Sequence, residues 1–173
     1  MAKELEIIKY PHPILRKKSQ DIDLSLLKDK EFKKWLADLE LTMIKKDGAG
    51  LAAPQVGKNL KIFVTAHENK TLFFINPKIT KKSWGKIIDE EGCLSVVDKD
   101  GNLVFDRVAR HKKINISFFD EHGKLKRITA EKFLARVIQH ENDHLDGILF
   151  IDRVKEQIKE KDLIIKTNKK IEK

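Results

Sequence analysis

The stretch QHENDHLDG, residues 139–147, decides how the rest of this chain is interpreted. Its two histidines, His140 and His144, are four residues apart, so on a helix they share one face and can reach the same metal ion. Glu141 follows the first histidine and would lie beside the coordination position that the ligands leave open. Water activated at such a position is a nucleophile, and a neighbouring carboxylate is its general base. The stretch therefore predicts a helix that carries a hydrolytic metal site.

Cys93, the only cysteine of the chain, is the third ligand that the sequence offers. It lies in the string EGCLS, residues 91–95, and two imidazoles with one thiolate leave a fourth position for water.

A helical period supports burial of the histidines, because Phe133, Val137, His140 and His144 continue one apolar stripe. Buried imidazoles need partners for their ring nitrogens, and a metal ion supplies one. A chance match on the surface and a pair of hydrogen-bonded core histidines are the alternatives to a metal site.

The length and composition indicate a single catalytic domain over residues 1–173. We expect a monomer. We also expect no membrane association, because no apolar run approaches the roughly 20 residues that cross a bilayer. The first ten residues also lack the pattern of a signal peptide, and a lone metal-binding thiolate is best kept where thiols stay reduced. We therefore expect a cytoplasmic protein. Its formal charge of +9 fits an acidic partner such as nucleic acid and equally a lysine-rich solvated surface.

Two helices are predicted besides the one that carries the histidines. Residues 24–46 have apolar positions at a helical period and end at Asp47-Gly48, which predicts a first long helix. A lysine-rich C-terminal helix is expected from about Asp152 onward.

Short β-rich runs between residues 61 and 130 predict antiparallel strands, and Thr129 is expected to cap the histidine-bearing helix. The predicted fold class is α+β, with mainly antiparallel sheets around a central metal-binding helix. The turn signals that separate the runs are Asn76-Pro77, Asp100-Gly101 and His122-Gly123.

The third informative string is GAGLAAPQVG, residues 48–57. Its glycines allow sharp turns and close approach of a ligand, but no G-K-[ST] or G-x-G-x-x-G spacing supports phosphate binding. A purely structural turn is the alternative. Gln55 follows the rigid Pro54, and a side-chain amide held near a reacting carbonyl is a good oxyanion donor.

With GAGLAAPQVG, EGCLS and QHENDHLDG in this order, the chain resembles the peptide deformylase family from about Tyr10 to Phe150. The resemblance implies removal of the N-formyl group from the N-terminal formylmethionine of nascent polypeptides, with release of formate. It also implies that Glu141 is the general acid/base and that Cys93, His140 and His144 hold the metal.

The same resemblance implies that Gln55 and the backbone N–H of Leu94 stabilise the oxyanion. The implied ion is Fe²⁺, with Ni²⁺ and Co²⁺ as good substitutes and Zn²⁺ as a poorer one. A cramped site flanked by Gly50 and Gly92 would favour the formyl group, and Val137 with Leu134 could line a methionine pocket.

The chain also departs from the family pattern. Val97 stands where the family generally has a proline, and residues 96–109 form a longer stretch than expected, which leaves substrate contacts there open. Asn142 replaces a commonly apolar residue but lies off the ligand face. Arg110 is expected to pair with Glu91 rather than to bind substrate.

Two other functions remain possible at this point. An H-E-x-x-H peptidase would need a third His or a Glu downstream, and the 29 residues after His144 contain no His. A nucleic-acid-binding protein with structural Zn²⁺ would need a fourth ligand, and there is no second cysteine. The lysine-rich C-terminal helix could nevertheless dock on ribosomal RNA, or could be a solvated, self-paired helix.

Overall fold

Two antiparallel sheets hold the histidine-bearing helix between them in the computed structural model, which describes residues 2–154. The elements are α1 (Lys30–Lys45), β1 (Gly50–Ala52), β2 (Ile62–His67), β3 (Lys70–Lys82), β4 (Lys86–Val97), β5 (Leu103–His111), β6 (Lys113–Phe119), β7 (Leu125–Glu131) and α2 (Lys132–Leu145), with 3-10 turns at Pro13–Arg16, Leu24–Lys28 and Ala53–Val56. Five strands form the larger sheet in the order β1-β2-β3-β6-β7, and β4 pairs with β5 in the smaller one. The α+β class is confirmed.

The larger sheet packs its apolar face against α2. Phe63 stacks on Phe74 with 4.5 Å between ring centroids, and Phe74 contacts Phe118 at 4.2 Å. Ala135 and Ile138 of α2 are fully buried in the same cluster. This side of α2 is therefore fixed by the hydrophobic effect and close packing.

The first helix is shorter than the sequence predicted. The Asp29 carboxylate accepts the Phe32 N–H at 2.8 Å and so caps α1 at Lys30. Residues Leu24–Lys28 form a separate 3-10 turn capped by Asp23, so the predicted start at Leu24 was wrong. At the other end, Asp47 adopts the left-handed conformation at φ 51°.

Two predictions about turns and caps were wrong because tertiary contacts override the local signals. The chain does not turn at Asn76-Pro77, since β3 continues through it with Asn76 at φ 48° and its amide bonded to the backbone of Ile22. Thr129 lies in β7 and donates to the side chain of Asn115 instead of capping α2. The chain enters α2 through a left-handed Lys132 at φ 53°, without a side-chain cap.

The stretch 96–109 is a hairpin rather than a loop. It contains the end of β4, a turn at residues 98–102 and most of β5. In the turn, the Asp98 carboxylate accepts the backbone N–H groups of Asp100 and Asn102, both at 2.9 Å. The extra residues therefore extend a two-stranded sheet beside the candidate site.

Residues 150–154 are helical where the described part of the chain ends. The predicted lysine-rich helix from about 152 lies, apart from its first residues, outside the described residues. Between residues 2 and 154, no helix is long and apolar enough to span a membrane.

Candidate metal centre

The three predicted ligands come together although they lie on different elements. Cys93 is on β4, whereas His140 and His144 are one turn apart on α2. One ligand atom from each lies within 4.8 Å of the other two, and Cys93 Sγ is 3.2 Å from His144 Nε2. Metal–ligand bonds of roughly 2.0–2.3 Å at tetrahedral angles place donor atoms roughly 3.3–3.8 Å apart. The cluster therefore has the size of a metal site.

Glu91 fixes the orientation of His140. Glu91 Oε2 lies 3.0 Å from His140 Nδ1, which leaves the other ring nitrogen, Nε2, for the cluster. A carboxylate that holds the far side of a ligating imidazole is a recurrent feature of metal sites. Both side chains are largely buried, with 4% of Glu91 and 11% of His140 exposed.

Two arginines neutralise Glu91. Arg110 donates to both of its oxygens at 2.9 Å, and Arg136 Nη1 donates to Oε1 at 2.7 Å. Burial alone would raise the pKa of Glu91, but the bonds from His140 and Arg110 lower it from 4.5 to about 2. The predicted pairing of Arg110 with Glu91 is therefore confirmed.

The electrostatics of the cluster favour a bound positive charge, either a proton on an imidazole or a metal ion. Burial opposes ionisation of Cys93, yet the attraction of His144 and His140 brings the pKa of the thiol well below its usual range. Burial likewise opposes protonation of His140, but the thiolate and Glu91 raise its pKa to about 10. A thiolate that retains a proton on a buried imidazole would also attract a cation in place of that proton.

Glu141 lies against Gly50 at the edge of the cluster. A Cβ built on Gly50 would be 2.5 Å from Glu141 Oε1, so only glycine leaves room for this carboxylate. Burial raises the pKa of Glu141 to about 7, while the two histidines act in the opposite direction. Among residues 2–154, its buried Oε2 has no hydrogen-bond partner. A carboxyl group in this state is suited to proton transfer near neutral pH.

Gln55 presents its amide nitrogen to the cluster. Its Oε1 accepts the Ala52 N–H at 2.8 Å, which directs Nε2 toward Cys93 Sγ at 3.5 Å and Ser95 Oγ at 3.2 Å. Leu94 follows Cys93 directly on β4 and lines a cavity that opens beside the cluster.

A cavity of about 300 Å³ opens beside the cluster. Gly50, Gly92 and Val137, the predicted substrate-binding residues, are among those that line it. Leu134 does not line it, because that side chain packs toward the larger sheet. Phe133, which was expected in a buried stripe, is 66% exposed at the rim of the cavity.

Gly92 accommodates the hairpin. A Cβ at this position would be 2.5 Å from the Phe105 ring, which comes from β5 and lines the cavity. The glycine therefore lets an aromatic side chain close over β4 next to Cys93.

Sequence reasoning missed three residues that support the site. Ser95 accepts from Gln55, Arg136 holds Glu91, and Asp143 binds Arg110 at 2.5 Å and Arg153 at 2.7 Å. Arg136 lies one turn before His140 on the same helix face, a spacing that could have revealed it. Nothing local to Asp143 indicates its two arginine partners, which are 33 and 10 residues away in the sequence.

Comparisons with known proteins agree on one family. Residues 4–160 match the family model described as polypeptide deformylase. A peptide deformylase of Borreliella burgdorferi is 42% identical over 160 residues, which cover 91% of this chain and 92% of the relative.

Solved structures of peptide deformylases have a similar fold. The crystal structure of peptide deformylase from Thermotoga maritima is 35% identical with a TM-score of 0.79, and the match covers 87% of this chain and 97% of that one. A class I type b peptide deformylase from Acinetobacter baumannii, bound to Met-Ala-Ser, has a TM-score of 0.82 at 28% identity, covering 88% and 99%.

Proposed function

The chain belongs to the polypeptide deformylase family, and from that premise we propose that Cys93, His140 and His144 hold a divalent metal ion at the catalytic centre. The protein removes the N-formyl group from nascent peptides by hydrolysing the formyl amide. The observation that supports the metal site is the convergence of one thiolate and two imidazoles. Beside them lies the buried Oε2 of Glu141, which has no hydrogen-bond partner among residues 2–154.

The donor set fits a transition-metal ion. Thiolate and imidazole ligands suit iron, cobalt, nickel and zinc, whereas Mg²⁺ and Ca²⁺ prefer oxygen ligands. We propose Fe²⁺ as the ion, with Ni²⁺ or Co²⁺ as substitutes and lower activity with Zn²⁺. Such an ion acts as a Lewis acid and lowers the pKa of water, which supplies a nucleophile near neutral pH.

Glu141 moves the protons of the reaction. Its carboxylate takes a proton from the attacking water and passes it to the departing amine, so formate and a free N-terminus result. The pKa near 7 supports this role, because the group must be a base in one step and an acid in the next.

Gln55 Nε2 and the backbone N–H of Leu94 would donate to the formyl oxygen as it gains negative charge. The anchored Oε1 of Gln55 supports this role, because a donor that is already oriented needs no reorganisation during the reaction.

The shape and lining of the cavity fit the formyl group and the methionine side chain of the proposed substrate. Because Gly50 and Gly92 have no side chain, Glu141 and the Phe105 ring approach the backbone closely, and the narrow space that results favours a formyl group over larger acyl groups. Val137, 6% exposed on the wall of the cavity, would contact the methionine side chain. The Met-Ala-Ser bound by the Acinetobacter baumannii enzyme is a deformylated peptide of the kind proposed as product here.

The wider setting follows from the substrate. Residues 1–173 would form one catalytic domain that acts in the cytoplasm as a monomer, without membrane association, on N-formylmethionyl peptides. Ribosome association through the basic C-terminal helix is part of the same proposal, and that helix lies largely outside the described residues.

The test is formate release from formyl-Met-Ala-Ser by protein purified anaerobically with Fe²⁺ or Ni²⁺. We expect turnover with either ion, much less after metal removal by a chelator, and little with acetyl-Met-Ala-Ser. Absence of formate with both ions would contradict the proposed metal chemistry, and equal hydrolysis of the acetyl peptide would contradict the narrow site.

A further inference from the structure

Residues 8–10 hydrogen-bond to the backbone of both segments that carry the proposed oxyanion donors. The Ile8 N–H donates to the Gln55 carbonyl at 2.8 Å, and the Tyr10 N–H donates to the Ser95 carbonyl at 2.8 Å. Between them, Lys9 Nζ donates to the Leu94 carbonyl at 2.5 Å. Three successive residues thus join the segment of Gln55 to the segment of Leu94.

The two donors need such a link because they belong to different parts of the fold. Gln55 lies in the 3-10 turn Ala53–Val56 that follows β1 of the larger sheet, and Leu94 lies in β4 of the smaller one. Oxyanion donors stabilise a transition state only when both are placed to within a few tenths of an ångström. A shift of one sheet against the other would therefore weaken the pair.

The linking segment is itself anchored to α1. Ile7 is 8% exposed in the core cluster that contains Leu39 and Met43. The Leu5 N–H donates to Thr42 Oγ1 at 2.8 Å, and the Lys3 N–H donates to Asp38 Oδ1 at 2.7 Å. The segment is thus held by a helix outside both sheets, and its position does not depend on either sheet alone.

We propose that residues 7–10 set the separation of the two oxyanion donors, with Lys9 as a positioning residue for the Leu94 segment. This proposal rests on the proposed roles of Gln55 and Leu94. Lys9 does not touch the reacting atoms, and its ammonium group acts by holding the carbonyl of Leu94 in place. The charge-assisted bond is at the surface, so its loss displaces the segment without unfolding it.

The effect should fall on kcat. Oxyanion donors bind the transition state more tightly than the ground state, so a misplaced donor lowers kcat and leaves KM nearly unchanged. A purely structural role of Lys9 would instead lower thermal stability, with the kcat of the folded protein intact.

The experiment compares Lys9→Met with Lys9→Arg and with Lys17→Met, an exposed lysine of the same N-terminal region. For Lys9→Met we expect a three- to tenfold lower kcat on formyl-Met-Ala-Ser, with KM, metal content and thermal midpoint as in the wild type. Lys9→Arg should recover most of the loss, and Lys17→Met should show none. In NMR spectra of the metal-free protein, the Leu94 amide signal should shift in Lys9→Met while that of exposed Leu125 stays.

Gln55→Ala separates this proposal from the proposed function. If Gln55→Ala loses roughly 10²–10³-fold in kcat while Lys9→Met equals the wild type, the positioning role is wrong and the donor assignment stands. A Lys9→Met effect confined to KM, or no recovery in Lys9→Arg, would also overturn the positioning role. Wild-type turnover in Gln55→Ala would instead remove the donor on which both proposals rest.

Discussion

The two sides of α2 are built on opposite principles. Toward the larger sheet the helix buries Ala135 and Ile138 among aromatic and aliphatic side chains. Toward the hairpin of β4 and β5 it buries Arg136 and Asp143, and most of the His140 side chain, among charged partners. One helix therefore separates an apolar core from a buried network of ionic hydrogen bonds.

The difference separates what stabilises the fold from what prepares the chemistry. Apolar burial contributes stability in proportion to area and tolerates changes that conserve volume. A buried ionic network contributes little net stability, since desolvation offsets much of the attraction, but it holds each group in one geometry. We infer that the network is retained to orient His140, and that substitutions on the two sides should have different signatures.

The largest effect is expected for Glu141→Gln, next to the charged side. The substitution removes proton transfer and leaves the three ligands alone, so turnover should fall roughly 10²–10⁴-fold. Metal content and thermal midpoint should stay near those of the wild type. Steady-state formate release checks the first expectation and elemental analysis the second. Near wild-type turnover would remove Glu141 from the mechanism.

A smaller effect is expected from acid on the charged side. The pKa of Glu91 is about 2 in the folded protein and 4.5 as a free group, so the unfolded state binds more protons between these values. The stabilisation by Glu91 is complete above about pH 4.5 and is lost as the pH falls toward 2. Protonation removes one charge from the buried network, which costs on the order of 3 kcal/mol even though the intact network adds little net stability.

Urea unfolding between pH 5.5 and 3, with a chelator present so that metal release does not contribute, measures this loss. The wild type should lose stability steeply, and Glu91→Gln should begin lower and change less. Parallel pH curves for both proteins would show that Glu91 is not the group responsible.

The smallest effect is expected for Ile138→Val on the apolar side. Removal of one methylene from a fully buried side chain should cost about 0.5–1.5 kcal/mol of unfolding free energy. The pH dependence and kcat should match those of the wild type, because no charged partner is touched. A loss of kcat at unchanged stability would mean that the two sides of α2 are coupled.

The features that could be predicted from the sequence are those encoded by local patterns. The apolar period of α1, the short β-rich runs and the spacing of His140 and His144 are local patterns, and the structure contains the helices and strands that they predict. The strings EGCLS and GAGLAAPQVG also placed Cys93 and Gln55 in the site, because a metal ligand and an oxyanion donor must both lie close to the reacting carbonyl.

The misses come from contacts that no local pattern encodes. Thr129 has the composition of a cap, yet β7 continues past it because each of its residues pairs with β6. Phe133 continues an apolar period, yet it is exposed and lines the cavity instead of the core. The partners of Asp143 and the link from Lys9 to Leu94 depend on which segments the fold brings together.

The most direct test of the central claim is metal content per chain, measured by elemental analysis after anaerobic purification with Fe²⁺. The wild type and His67→Ala, a control histidine outside the cluster, should each hold about one ion. Cys93→Ser and His144→Ala should lose most of theirs under the same chelator competition, since a soft thiolate or an imidazole is removed. Equal metal content in all four proteins would contradict the assignment of Cys93 and His144 as ligands.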